Sequence, residues 1–388
     1  MTAYKVTVQN NIPMIKTLRT HSSSDSELSH MEYDYDEIFA SSSDHESYKD
    51  KRLFNFTSFA NYTSSNVAMY GCNLTVTLID NRVPANPYNH RVWYMLESIA
   101  SFAPYACVAI HTTACHVISH SENITTVPTK LHQTEVSARA IYDRSLPLHR
   151  RMMERGQVRI GILEIGSYNI KACESWDANN LYTNVDFWKN EFFDGIDSNA
   201  ILLVQDDAIL CRYFNVTPWK EYAYVGSPWD PDNNEYNFCD IVRGQWRKYA
   251  KRCSLLNLVS ELPDSPGVCF GNGGVSLRNR MWTIQVLQEC PFHSWNEDLY
   301  FSAVFNGFRA PLPTSFEASL FSAETILPDD VLLKLNITLS PIEIEETKTR
   351  LLGRSGIYEK RDRTELFDDA GSKQTLRTIP LFFHQAWR

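Results

Sequence analysis

The stretch that most narrows the folds open to this chain is Ala200-Ile-Leu-Leu-Val-Gln-Asp-Asp-Ala-Ile-Leu-Cys211. Four branched apolar residues run from Ile201 to Val204 without polar interruption, the pattern of a strand buried on both faces of a largely parallel sheet. Carboxylates follow at once. In an open α/β sheet ligands bind outside the carboxyl ends of the strands, so Asp206 and Asp207 stand where chemistry is done. If the strand persists, its alternation puts Gln205 and Asp207 on one face and Asp206 on the other, which makes Asp207 the first candidate ligand. The alternative is that the two Asp residues simply open a solvated turn.

The preceding sequence supplies the partners such a strand needs. Residues 72–80 alternate like a strand, residues 90–103 carry Val92, Met95, Leu96, Ile99 and Ala103 at helical spacing, and Pro104 stops that helix before a second strand at 107–111. Strand, helix, strand is a βαβ unit and implies parallel pairing. A helix over 136–155 interrupted at Pro147, a strand over 158–165, and a helix within 176–193 striped by Leu181, Val185, Trp188 and Phe192 lead into the Ile201 run.

Beyond it, 222–226 reads as a short strand followed by a Ser227-Pro-Trp-Asp-Pro turn. Residues 230–265 are polar, and their basic cluster at Arg243, Arg247, Lys248, Lys251 and Arg252 is either a solvated helix face or a phosphate or acceptor contact. Gly271, Asn272, Gly273 and Gly274 form a loop that lets a ligand approach backbone, ahead of a short Val-Ser-Leu-Arg strand. A helix over 280–290 follows. Asn296-Glu-Asp298 opens another helix, where acids ordinarily serve as dipole partners. An edge strand is expected over 308–312. Residues 1–70, rich in Ser and acid, read as a separate, poorly ordered arm, and 71–388 as a single domain.

Composition excludes some partners. A net charge of −9 does not suit a nucleic-acid backbone, and an anionic ligand such as a diphosphate needs a divalent cation at an acidic site. Nine cysteines contain no Cys-x-x-Cys pair, which disfavours a zinc site, and their odd number leaves at least one thiol unbridged. Six Asn-x-Thr sequons, at Asn55, Asn61, Asn73, Asn123, Asn215 and Asn336, suit an ER or Golgi lumen, whereas the apparent lack of a signal, anchor or transmembrane segment suits the cytoplasm.

Together these signals resemble the core of GT-A glycosyltransferases. Within that class, Tyr168-Asn169, Phe187-Trp188, Val204-Gln-Asp-Asp-Ala-Ile-Leu-Cys211, Tyr224-Val-Gly-Ser-Pro-Trp229, Gly271-Asn-Gly-Gly-Val-Ser-Leu-Arg278, Glu297-Asp298 and His384-Gln-Ala-Trp387 resemble the DUF5672 family over roughly residues 72–388. The resemblance implies a GT-A-like, Rossmann-like α/β fold with a mostly parallel central sheet flanked by helices. It implies transfer of a sugar from a UDP- or GDP-sugar to a hydroxyl of a glycan, protein or lipid acceptor, assisted by Mn²⁺ or Mg²⁺ and inverting the anomeric centre. By position, Asp207 and His384 become metal ligands and Asp298, beside Glu297, the catalytic base. Gln205, Asp206, Gly271, Asn272, Gly273, Gly274 and Trp229 fall to donor or acceptor binding. Gln205 departs from the Asp-x-Asp pattern, since a neutral amide holds a cation less well than a carboxylate. The competing reading is a GT-A-like protein that binds a nucleotide or glycan without turnover.

Overall fold

A computed structural model describes residues 3–9, 12–18, 72–79, 90–113, 129–163, 178–189, 199–206, 208–229, 238–253, 270–293, 296–323, 340–352 and 381–383. The chain divides into two compact units, Met1–Asn55 and Phe56–Arg388. In the first, β1 (Ala3–Gln9) and β2 (Ile12–Leu18) pair antiparallel as a hairpin within the stretch read as a disordered arm.

The second unit is built on a six-stranded sheet of order β5-β4-β3-β6-β9-β8, comprising β3 (Thr75–Ile79), β4 (Cys107–Thr112), β5 (Val158–Ile162), β6 (Ala200–Val204), β8 (Tyr224–Pro228) and β9 (Phe270–Asn279). The first four named run parallel, and β9 is antiparallel to both β6 and β8. This is the mostly parallel α/β sheet expected from the Ile201 run. Every residue of β3, β4 and β6 is buried, as strands covered on both faces require. Ile201 and Leu203 join a core with Tyr182, Trp188, Tyr224, Trp246, Tyr300 and Phe301, supplied largely by helices on that face.

The helices follow the punctuation. α1 (His90–Phe102) ends before Pro104; α2 (Lys130–Arg144) and α3 (Pro147–Glu154) are separated at Pro147, which sits at the first position of α3. The Glu97 carboxylate of α1 accepts from Leu148 N (3.1 Å) and His149 N (2.9 Å), satisfying the opening of α3. The helix read over 176–193 is instead two short pieces, α4 (Ala178–Tyr182) and α5 (Val185–Lys189). Thr183 Oγ1 turns back onto Asn179 O, and Asn184 Oδ1 accepts from Asp186 N (2.8 Å), a side-chain cap that restarts the helix. α6 (Phe238–Tyr249) occupies the basic region, with Arg247 and Lys248 exposed.

α7 (Arg280–Glu289) starts at Asn279, whose Oδ1 accepts from Met281 N (3.1 Å) and Trp282 N (3.2 Å). α8 (Glu297–Gly307) follows. No strand forms at 308–312: Arg309 takes φ 52° and turns the chain out of α8, so Pro311 O alone meets the sheet edge, accepting from Ala223 N at 2.7 Å. α9 (Ser315–Phe321) has a complete capping box between Thr314 and Glu317, and α10 (Pro341–Leu352) reaches it through Arg350 and Glu317. A small sheet joins β7 (Ile209–Leu210), β10 (Ser322–Ala323) and β11 (Phe382–Phe383).

Disulfides link Cys72 to Cys107 (Cα–Cα 5.6 Å) and Cys253 to Cys290 (Cα–Cα 4.4 Å). The first ties the approach to β3 to the start of β4, and the second ties the chain after α6 to the end of α7. Among the described residues no helix is long and apolar enough to cross a membrane.

Candidate functional site

The strand order creates a switch point. From β3 the chain steps outward to β4 and β5, then returns to place β6 on the other side of β3, so the connections leave the carboxyl ends of β3 and β6 in opposite directions. In open α/β sheets such a divergence marks the edge where ligands bind. Because β9 runs against β6 and β8, its amino end and the carboxyl end of β8 lie at this same edge. Gln205, Asp206, the Gly271–Gly274 segment and Trp229 therefore converge there, although they are far apart in sequence.

Locally, β6 stops at Val204, so the alternation expected for Gln205, Asp206 and Asp207 does not apply. Gln205 N donates to Gly274 O (2.8 Å), and Ala208 N donates to Gln205 O (3.2 Å), turning the chain toward β7. Gln205 and Asp206 are half-buried in that turn. Asp207 and His384 lie outside the described residues, but their chain neighbours meet: Ile209 pairs with Phe383, and Leu210 with Phe382, antiparallel. Among the described residues no three acidic, His or Cys side chains group as a metal centre.

The glycine segment is not a loop before a short strand; it is part of β9 itself. Its pairing with β8 jumps from Gly226↔Ser276 to Ser227↔Asn272 and Pro228↔Phe270, while Val275 stays opposite Val204 of β6. Gly273 and Gly274 thus bulge away from β8 at that edge. The strand β8 begins two residues later than the sequence indicated and takes in Ser227 and Pro228, so the expected turn there is strand. Ser227 Oγ donates to Ser322 Oγ (2.7 Å), fixing the end of β8 to the small sheet, and Trp229 is buried directly after it.

Gly271 is needed for two reasons. It has φ 139°, and a Cβ there would lie 3.0 Å from Tyr224 Cε1 and 3.2 Å from Ser302 Cβ of α8. The Tyr224 hydroxyl donates to Gly271 O at 2.5 Å. Burial raises the Tyr224 phenol well above its ordinary pKa; the Arg278 charge opposes this and the charges of Glu297 and Asp298 add to it. Tyr224 spans this strand: its backbone pairs with Arg278, opposite Ile201 at the amino end of β6, while its hydroxyl reaches the glycine segment at the other end of β9.

Glu297 is committed to a buried pair. Its Oε2 accepts from Arg278 Nη2 at 2.6 Å, with both side chains almost wholly excluded from solvent. Arg278 Nε donates to Ser276 Oγ (3.1 Å), and its guanidinium carbon lies 4.4 Å from the Phe301 ring centre and 5.4 Å from that of Tyr224. Asn179 Oδ1 accepts from Glu297 N (2.7 Å), so α4 caps α8. Asp298 is half-exposed, and its Oδ1 accepts from Leu299 N (2.7 Å). Of the two acids, Asp298 is the one that reaches solvent.

Sequence reasoning missed the anchoring roles of Tyr224, Asn179 and Arg278. The available signal was Arg278 itself, a cation closing an apolar strand alternation, with an acid nineteen residues later on a helix. On the far side of β3, His111 is buried against Phe187, and burial, then the Arg159 charge, push its imidazole down to about 3.

Fold and edge together define an α/β protein whose mostly parallel sheet has a topological switch point between β3 and β6. Residues 163–337 match the family described as Protein of unknown function (DUF5672). That span holds β6, β8, β9 and α8 and is narrower than the likeness read over 72–388, leaving out β3, β4, β5 and His384. No curated protein matches the chain.

Proposed function

We propose that this chain is a nucleotide-sugar-dependent glycosyltransferase working at the carboxyl edge of β6. The observation that carries the reading is the convergence of Gln205-Asp206, the Gly271–Gly274 bulge and the β8 end at a switch point, the place where α/β sheets bind nucleotides. Trp229, buried directly after β8, lies at the same edge.

A carboxylate at Asp207 suits Mn²⁺ or Mg²⁺, and an imidazole at His384 would favour Mn²⁺ of the two; their chain neighbours Ile209 and Phe383 pair in the small sheet. Such a cation, when bound, neutralises charge gathering on the departing diphosphate. Asp298 accepts the proton of the acceptor hydroxyl as that oxygen bonds to the anomeric carbon and the carbon–diphosphate bond breaks, a single displacement that inverts the centre. Tyr224 and the Arg278–Glu297 pair hold the backbone of the Gly271 segment and the start of α8 in place for both steps.

The test is Asp298→Asn. It is expected to lower transfer by about 10²-fold or more while leaving nucleotide binding unchanged. Full transfer activity in that variant removes the assigned base. The second reading, binding without turnover, is favoured by the engagement of Glu297 with Arg278 and by Gln205 in place of an acid; donor binding without hydrolysis or transfer across a broad acceptor panel would establish it.

A further inference from the structure

Of the six sequon asparagines, Asn73 and Asn215 lie among the described residues, and both are exposed. Around Asn215 the chain alternates sharply. Phe214 and Val216 are buried, at 0% and 3%, while Tyr213, Asn215 and Thr217 face solvent. Phe214 packs against Phe321 and Phe382, its N–H donates to Phe102 O (3.0 Å), and its carbonyl accepts from the Tyr105 hydroxyl. With the two flanking side chains locked inward, the Asn215 carboxamide is held outward. Its Oδ1 accepts from Thr217 N at 3.1 Å, which engages the oxygen and not the amide nitrogen. Tyr213, 60% exposed, stands two residues ahead, its ring tilted against that of Tyr105 at 6.2 Å.

We propose that Asn215 carries an N-linked glycan. The Asn-Val-Thr sequence supplies the acceptor, and the site is built so that a bulky sugar attached there disturbs no packing. The donor is a lipid-diphosphate-linked oligosaccharide: the bond between the sugar C1 and the diphosphate oxygen breaks, the Asn215 Nδ2–C1 bond forms, and the amide gives up one proton as the lipid diphosphate leaves. Independent support comes from the two disulfides, Cys72–Cys107 and Cys253–Cys290, because such bridges persist in oxidising compartments, where this transfer takes place.

The experiment uses the protein purified from the cells that make it. Trypsin cuts after Arg212 and Lys220, isolating residues 213–220 with this sequon alone. Treatment with peptide N-glycosidase in ¹⁸O-water is expected to yield that peptide with Asn215 converted to ¹⁸O-labelled Asp, absent without the enzyme. Thr217→Ala is expected to abolish the labelled peptide, and Thr217→Ser to retain it. Recovery of the peptide only in unmodified form overturns the proposal, whatever the disulfides show. Alkylation of all four bridge cysteines without reductant would remove its second support.

Discussion

At the residue scale the most consequential contact is Arg278–Glu297. Two charges without water repay their desolvation only if both partners are present, so removing one is worse than removing both. Glu297→Gln is expected to destabilise the fold by about 3–5 kcal/mol, and the pair Arg278→Met with Glu297→Leu by clearly less, measured by urea denaturation. Equal losses would mean that the pair does not govern this part of the core. Gly271 is the second such position. Gly271→Ala forces a side chain into positive φ against Tyr224 and Ser302, with an expected cost of about 1–3 kcal/mol in the same measurement. Glu297 shows how far residue roles were legible: the acidic pair was visible in the sequence, but its division into a buried structural acid and a solvent-reaching Asp298 depends on Arg278 arriving from another strand.

At the scale of elements, punctuation was the most readable feature. Pro104 and Pro147 end or begin helices as expected, and the apolar run at Ile201–Val204 is a doubly covered strand. What escaped reading were places where tertiary pairing overrides local composition. Glycines at 271, 273 and 274 suggest a loop, yet pairing with β6 and β8 draws them into β9, because a sheet tolerates glycine where a bulge is needed. The stripe through Leu181 and Trp188 suggests one helix, yet Thr183 and Asn184 find local hydrogen bonds that break it. The junction from β9 into α7 depends on Asn279 capping two amides. Asn279→Ala is expected to cost about 1 kcal/mol, seen as a lower thermal midpoint, whereas an unchanged midpoint would assign the junction to packing alone.

At the scale of the whole molecule, two buried histidines set an acid limit. Burial pushes His149 down to about 3, as burial and Arg159 do His111. Unfolding frees both rings to take up protons near pH 6.5, so their contribution is complete above that value and is lost as pH falls toward 3. Stability is expected to drop by up to about 1.4 kcal/mol per pH unit for each ring in that window. A flat profile between pH 6 and 4 would contradict their neutral burial. The sheet class was legible because hydrophobic runs report burial on two faces. The candidate site was only partly so: the residues at its edge come from three separated stretches, and only the antiparallel course of β9 aligns them.

The central claim, nucleotide-sugar binding at that edge, is tested most directly by the thermal midpoint of the full chain against UDP, GDP and their sugars, each with Mn²⁺ and with chelator. One nucleotide is expected to stabilise the protein by about 2.7 kcal/mol at a hundred times its Kd, with the effect lost in chelator and in Asp207→Asn. No shift with any nucleotide under either condition would contradict the account.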